Sequence, residues 1–443
     1  MTKKNLLMLM VLLVVFSMVL AACAGSNSKK EENNTNENQN AVENKAEVVE
    51  LSFVNWATAE EATKARINKV IEAFEAENTN IKIKNITIPF SEIQNQLTIM
   101  VTAGNAPDMA QLASDAGVSL AAMGALAPTD ELLSKEFLSD VSKSYYDIGA
   151  FEDKHYLVPW GGGTNGFWYN KKIMEQAGLD PNSPPKTMEE LNAAMAKVKT
   201  IKDIVPLQYD TTARAFTTGF QWPFMRSFGV EPFNRESVNV NGMKLYAEWL
   251  RDLVDKGYTL PGKKLGEFRP LGAQDRLAFA FDAPFLKGTI QSFDEKITDE
   301  VFYDTWGVTA LPAGIDGKSY TVGGSDHYTA VFQASQHKEE AAKFLEFLAT
   351  SDVGLKDYVI PMGFLPVVSS ALDRFPVEFD NPITKAFIKE VVPTSVAQPF
   401  GANYTNAATI LANSMQEVIT TSKSIDEILD KTQIKLEGII QGK

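Results

Sequence analysis

Two apolar spacings alternate along the first folded stretch, and this alternation narrows the fold more than any other feature of the chain. Residues 48–54 (VVELSFV) form a short β-type run, after which Ile67, Val70, Ile71 and Phe74 recur on one helical face. Residues 81–88 are strand-like again and lead to Ile93, Leu97, Met100 and Val101 at helical spacing. Gly104 is placed to end that helix, with Pro107 just beyond it. Thr58 with Glu61, and Ser91 with Gln94, have the spacing of a capping box. A β-α-β-α order predicts a sheet sandwiched between helices, an α/β fold. The pattern returns downstream. Residues 166–169 read as a strand, 171–177 as a helix ending at Gly178, and Thr187 with Glu190 as a capping box opening a helix over 188–198. Helical spacing recurs over 240–256, 338–349, 406–420 and 425–440, and 307–311 reads as a strand. With 443 residues and 44% hydrophobic content, the chain has apolar material for two or three domains.

The first segment has a different character. Lys3 and Lys4 precede an apolar run from Leu6 to Leu20, too short for a spanning helix, and small residues follow. Residues 1–22 therefore read as a signal peptide. Leu20-Ala21-Ala22-Cys23 looks like a bacterial lipoprotein box, and it contains the only cysteine of the chain. That resemblance implies cleavage before Cys23 and a lipid on it. Residues 24–47 are rich in Asn, Glu and Lys, so 23–47 read as a lipidated cysteine and a disordered tether. The formal charge of −14 disfavours general nucleic-acid binding. One cysteine and three histidines leave little from which to build a structural zinc site, and no metal or cofactor is expected.

Five motifs then occur in a recognisable order. They are Ala103-Gly104-Asn105-Ala106-Pro107-Asp108; Tyr156-Leu157-Val158-Pro159 with Tyr169-Asn170-Lys171; Ala177-Gly178-Leu179 with Pro185-Lys186-Thr187 and Glu190-Leu191; Leu311-Pro312 with Gly314, Gly317 and Gly323-Gly324; and Glu340-Ala341-Ala342-Lys343-Phe344. Together they resemble the sugar-type extracellular solute-binding proteins of bacterial ABC importers, the family that includes maltose-binding protein. Two stretches depart from the family pattern, Arg276-Leu277-Ala278-Phe279 and Ala283-Pro284-Phe285, the second where the family often carries Gly-Pro-Trp. The resemblance implies two discontinuous α/β lobes with a ligand cleft between them. Lobe one is placed at 48–158 plus 306–350, and lobe two at 159–305 plus 351–443. It further implies a monomeric, membrane-anchored receptor that captures a solute and passes it to the membrane subunits of an ABC permease.

No catalytic motif of the G-x-S-x-G or H-E-x-x-H type is present. Residues 161–166 match G-x-G-x-x-G, but a strand rather than a helix follows, so a dinucleotide fingerprint is rejected in favour of a hinge. Sugars present apolar C–H faces and hydroxyl edges, so a site for them needs aromatic plates with carboxylates and amides. Trp56, between a strand end and a helix start, is a candidate plate, against core packing as the bland alternative. Trp160, Gly163 and Thr164 lie at the hinge segment; Trp222, Phe285 and Tyr404 could supply surfaces from the second lobe. Gln94 and Asp115 match positions where the family often contacts ligand, and Asp326 follows Gly323-Gly324. His155 and His337 read as surface or loop histidines, whereas His327 could also reach the cleft. Asp108 reads as a turn residue, and Trp168, Trp249 and Trp306 as core. The expected ligand is a carbohydrate, an oligosaccharide by preference. The alternatives are a polyamine, a phosphorylated polyol held by Arg214 or Arg226, or turnover by a surface glycosidase with paired carboxylates.

Overall fold

The computed structural model describes residues 48–322, 327–396, 398–401 and 403–441. The leader, Cys23, the tether and Asp326 lie outside the described residues. Among the described residues, nine strands build two mixed sheets: β1 (Val49–Asn55), β2 (Ile81–Thr87), β3 (Met109–Leu112), β4 (Val158–Pro159), β5 (Gly166–Asn170), β6 (Val205–Gln208), β7 (Leu277–Asp282), β8 (Trp306–Thr309) and β9 (Tyr328–Val331). The order in lobe one is β2-β1-β3-β9-β4, and in lobe two β8-β5-β7-β6. In lobe one, β1 is parallel to β2 from Val49↔Ile81 to Asn55↔Thr87, and parallel to β3 at Phe53↔Met109. Strand β9 returns antiparallel beside β3. In lobe two, β5 runs antiparallel to both β7 and β8, while β6 is parallel to β7.

Helix α1 (Glu61–Glu77) buries Ile67, Val70, Ile71 and Phe74, the face read from the sequence. Helix α2 (Phe90–Thr102) ends where expected, with Gly104 in the left-handed region at φ +74. The two proposed early caps do not form. Thr58 instead bonds Asn55 and Thr87, and α2 begins a residue before Ser91. Helix α3 (Ser114–Ala122) follows β3 directly. Helix α4 (Met188–Val198) is capped by Thr187, whose hydroxyl accepts from the Glu190 N–H, while the Glu190 carboxylate accepts from the Lys186 N–H. Helices α5 (Ala215–Ser227), α6 (Lys244–Asp255), α8 (Tyr404–Thr420) and α9 (Ile425–Ile440) share the core of lobe two, while α7 (Lys338–Thr350) packs on lobe one.

The lobe boundaries need correction in two places. Residues 306–309 were assigned to lobe one, but they pair with β5 at the edge of the second sheet. The stretch after 350 was assigned to lobe two, yet Leu355, Tyr358, Val359, Met362, Phe364, Val367, Val368 and Ala371 pack with Phe53, Val70 and Phe344 of lobe one. Leu365 of this stretch packs with Trp168, Phe302 and Trp306 of lobe two, which the chain meets again at Ile383, Phe387 and Val391. In both cases sheet pairing and side-chain burial beyond the local pattern decide the lobe.

Gly161, Gly162 and Gly166 serve close packing. None has a positive φ. A Cβ on Gly162 would sit 2.8 Å from the Leu365 carbonyl oxygen and 2.8 Å from Tyr145 Cζ, and one on Gly161 would sit 2.9 Å from Phe364 Cγ. At these two positions the absence of a side chain lets the backbone approach the 364–365 segment closely. No helix among the described residues is long and apolar enough to cross a membrane.

Candidate functional site

Strand ends of the two sheets meet at a cleft whose empty space, open solvent included, is about 1030 Å³. Trp56 follows β1, Ala113 and Asp115 follow β3, His327 precedes β9, and Ala283 and Phe285 follow β7. In open α/β sheets the carboxyl ends of parallel strands are where ligands bind, because loops there are free of the sheet's own hydrogen bonds. The first two turns of α5 add Phe216, Gly219 and Phe220; the 362–364 turn adds Met362 and Phe364; Gln398 and Phe400 complete the wall.

Seven Phe and Trp rings of the described residues contribute to the lining, among them Trp56 and Phe364, each only 1% exposed. The Trp56 ring meets Phe90 edge-on at 5.1 Å, and Phe90 meets Phe216 edge-on at 5.1 Å and 89°. Phe90 belongs to lobe one and Phe216 to lobe two, so this pair bridges the cleft. His327 is buried, contacts the Phe364 ring at 4.1 Å, and places Nε2 3.0 Å from the Tyr358 hydroxyl.

The polar groups are held in fixed geometry. Asp282 is fully buried and accepts from Arg269 Nε at 3.0 Å, Arg269 Nη2 at 3.1 Å, Gln208 Nε2 at 2.9 Å and the Ala283 N–H at 2.8 Å. The Arg269 guanidinium also lies 4.7 Å from the centre of the Phe285 ring. Asp115 stands in the first turn of α3. Burial pushes its carboxyl above the ordinary value, opposed by the N–H of Ala116 and its own N–H. Pro223 inside α5 has no N–H to give to the Gly219 carbonyl, which instead accepts from Gln398 Nε2 at 3.4 Å. The freed carbonyl thus ties Gln398 to the cavity wall.

The residues picked out from the sequence fall into two groups. Trp56, Asp115, Phe285 and His327 line the cavity. Trp160, Gly163, Thr164, Trp222, Gln94 and Tyr404 do not. Trp160 is buried behind His327 and stacks on Tyr358 at 4.3 Å. Gly163 is buried in the first crossing segment. Thr164 donates to the Val322 carbonyl and bonds Thr321, tying two crossings together. Trp222 packs into the lobe-two core with its ring 5.2 Å from Phe233. Gln94 donates to Thr405 at 2.8 Å and so links α2 to α8 across the lobes. Tyr404 stands one layer back, bonded to Gln398 and edge-on to Phe400 at 4.9 Å. Asp326 falls outside the described residues. Of the arginines proposed for an anion, Arg214 pairs with Asp210 at 2.7 Å and Arg226 with Glu231 at 2.8 Å, and neither lines the cavity.

Phe90, Phe216, Phe220, Phe364, Phe400 and Arg269 escaped the sequence reading. A lone Phe at helical spacing has the signature of a core residue, so only tertiary placement separates them. Helix α5 carries one local hint: Phe216, Phe220 and Phe224, with Trp222, spread apolar rings around more than one face. Among the described residues, no cluster of His, Cys, Asp and Glu could hold a metal ion.

Comparison with known proteins agrees with this architecture. The model of the bacterial extracellular solute-binding protein family matches residues 52–354. A maltotriose-binding protein of Pyrococcus abyssi is 24% identical over 374 residues, covering 79% of this chain and 74% of its own length. The sn-glycerol-3-phosphate-binding periplasmic protein of Escherichia coli is 24% identical over 341 residues, covering 72% of this chain and 74% of its own length. A solute-binding protein of Thermotoga lettingae, solved with α-D-tagatose bound, superposes with a TM-score of 0.78 at 22% identity, covering 88% of this chain and all of that one. That likeness extends over both lobes. The Thermotoga lettingae protein is described as a solute-binding protein of an ABC transporter. With the family model spanning most of both lobes, this chain belongs to the bacterial extracellular solute-binding proteins of ABC importers.

Proposed function

We propose that this chain is a lipid-anchored receptor on the extracytoplasmic face of the cell membrane, which captures a carbohydrate and delivers it to an ABC permease. The carrying observation is the cavity wall. Trp56, Phe90, Phe216 and Phe285 line the cavity together, with Asp115, Asn165 and Gln398 interspersed. Apolar plates accept the C–H faces of pyranose rings, while carboxylates and amides accept or donate to hydroxyls. The maltotriose- and tagatose-binding relatives support the substrate class. Cys23 in its lipoprotein-like box supports the anchor.

A thermal-shift screen of neutral mono- and oligosaccharides tests the reading. A ligand at a hundred times its dissociation constant adds about 2.7 kcal/mol to stability. A binder in the oligosaccharide set is the expected result. Silence across the whole set, with a response to a polyamine, would replace carbohydrate by a cationic solute. Release of product from chromogenic glycosides would replace the receptor by an enzyme.

A further inference from the structure

The guanidinium that borders the cavity is engaged by a carboxylate from its own wall. Among the described residues, Arg269 is the only Lys or Arg lining the cavity, and Glu60, Asp115 and Asp282 line it with it. Arg269 meets both oxygens of Asp282, at 3.0 and 3.1 Å. Asp282 is itself fully buried and fixed by Gln208 and by the Ala283 N–H. The guanidinium face is turned over the Phe285 ring at 4.7 Å. A forked ion pair of this kind has its charge compensated where it stands and its orientation fixed. A phosphate approaching Arg269 would meet Asp282 at the same point, and Asp115 and Glu60 on the same wall. Like charges in a partly desolvated cavity repel more strongly than in water. Sugar hydroxyls suffer no such repulsion, since each can donate to a carboxylate.

We infer that Asp282 sets the charge specificity of the cleft: by holding Arg269 in a closed pair, it admits uncharged carbohydrate and excludes phosphorylated or carboxylated solutes. The inference rests on the carbohydrate reading above and narrows its substrate class. It makes Arg269 a support for the Phe285 plate, with no part in clamping an anion. It also separates this receptor by chemistry from its relative that binds sn-glycerol 3-phosphate.

The test uses the full mature chain and calorimetric titration with sn-glycerol 3-phosphate, inorganic phosphate and the neutral oligosaccharides of the screen. Wild type should show no heat of binding with either anion. Asp282→Asn should gain affinity for sn-glycerol 3-phosphate on the order of tenfold or more, the scale of coupling between close charges. Adding Arg269→Gln to that variant should abolish the gain. Binding of sn-glycerol 3-phosphate by wild type would overturn the inference, as would a folded Asp282→Asn variant with no gain. Should Asp282→Asn fail to fold, the wild-type titration decides alone, since it needs no variant. Failure of every neutral sugar, with wild type silent to both anions, would count against the carbohydrate reading and leave the exclusion of anions supported.

Discussion

The Phe90–Phe216 contact makes the coupling between closure and binding measurable. The two rings sit on helices of opposite lobes, edge-on at 5.1 Å, and both are half-buried. Phe216→Ala removes one side of the bridge from an accessible rim, so the cost to either lobe's core is small. An aromatic pair contributes about 0.5–1.5 kcal/mol beyond the area it buries. This contribution exists only while the lobes are together, so losing it lowers the closed-to-open ratio by about twofold to thirteenfold. If the closed form is the one that binds, apparent affinity falls by the same factor wherever the closed form is the minor one. Where the closed form dominates without ligand, small-angle scattering should show a larger radius of gyration for Phe216→Ala than for wild type; where it is the minor form, the effect appears in affinity instead. Titration with a sugar from the screen should show the matching loss. Phe90→Ala should give a similar loss, and the double variant little more, because one contact can be lost only once. Fully additive losses with unchanged scattering would refute the bridge and leave Phe216 as an ordinary ligand contact.

Asp108 accepts from the Ser52 N–H at 2.8 Å, the Ser52 hydroxyl at 2.7 Å and the Ser335 hydroxyl at 2.6 Å, joining β1 to the segment after β9. Burial raises its carboxyl pKa, but these bonds outweigh burial and hold it below the ordinary value. A lowered folded-state value means the stabilisation is complete above the unfolded carboxyl value near 4 and is lost as pH falls through the folded one. Asp108→Asn should therefore cost about 1–3 kcal/mol at neutral pH and flatten the acid limb of the stability curve in urea melts; an unchanged acid limb would remove Asp108 from that role. Trp56→Ala should weaken sugar binding by about 1–3 kcal/mol. Trp160→Ala, one layer behind, should instead lower the unfolding free energy by about 3–5 kcal/mol with little change in affinity of the remaining folded protein; the opposite pattern would exchange their roles. Cys23→Ala should leave the protein unprocessed or released to the medium; a processed variant still held on the membrane would rule out the lipid anchor.

Residues whose surroundings are local were legible in the sequence. The Thr187–Glu190 cap formed because both partners lie within one helical turn, and no distant group competes for the Thr187 hydroxyl. Thr58 has the same local spacing, yet its hydroxyl turns to Asn55 and to Thr87 on the neighbouring strand, a partner that only the sheet brings within 2.7 Å. Trp56 was placed at the cavity by periodicity, because a strand end before a helix start can be read from it and ligands bind at strand ends, whereas Asp115 and Phe285 were picked by the family resemblance; all three line the cavity. Trp160 and Trp222 were equally aromatic and were misplaced, because periodicity locates an element and does not say which side of it faces the cleft.

The same physics explains why the lobe boundaries shifted. Trp306–Thr309 looks like any short strand until its pairing with Gly166–Asn170 assigns it to a sheet. Arg269 is the sharpest case. In sequence it is one cation before a proline, with nothing to distinguish it from Arg214 or Arg226. Its place at the cavity depends on Asp282, thirteen residues away at the end of β7, and on Gln208 at the end of β6. Strands β6 and β7 are adjacent and parallel, so their carboxyl ends bring Gln208 and Asp282 together beneath the cavity. The chemistry of the cleft is therefore set by strand order as much as by residue type.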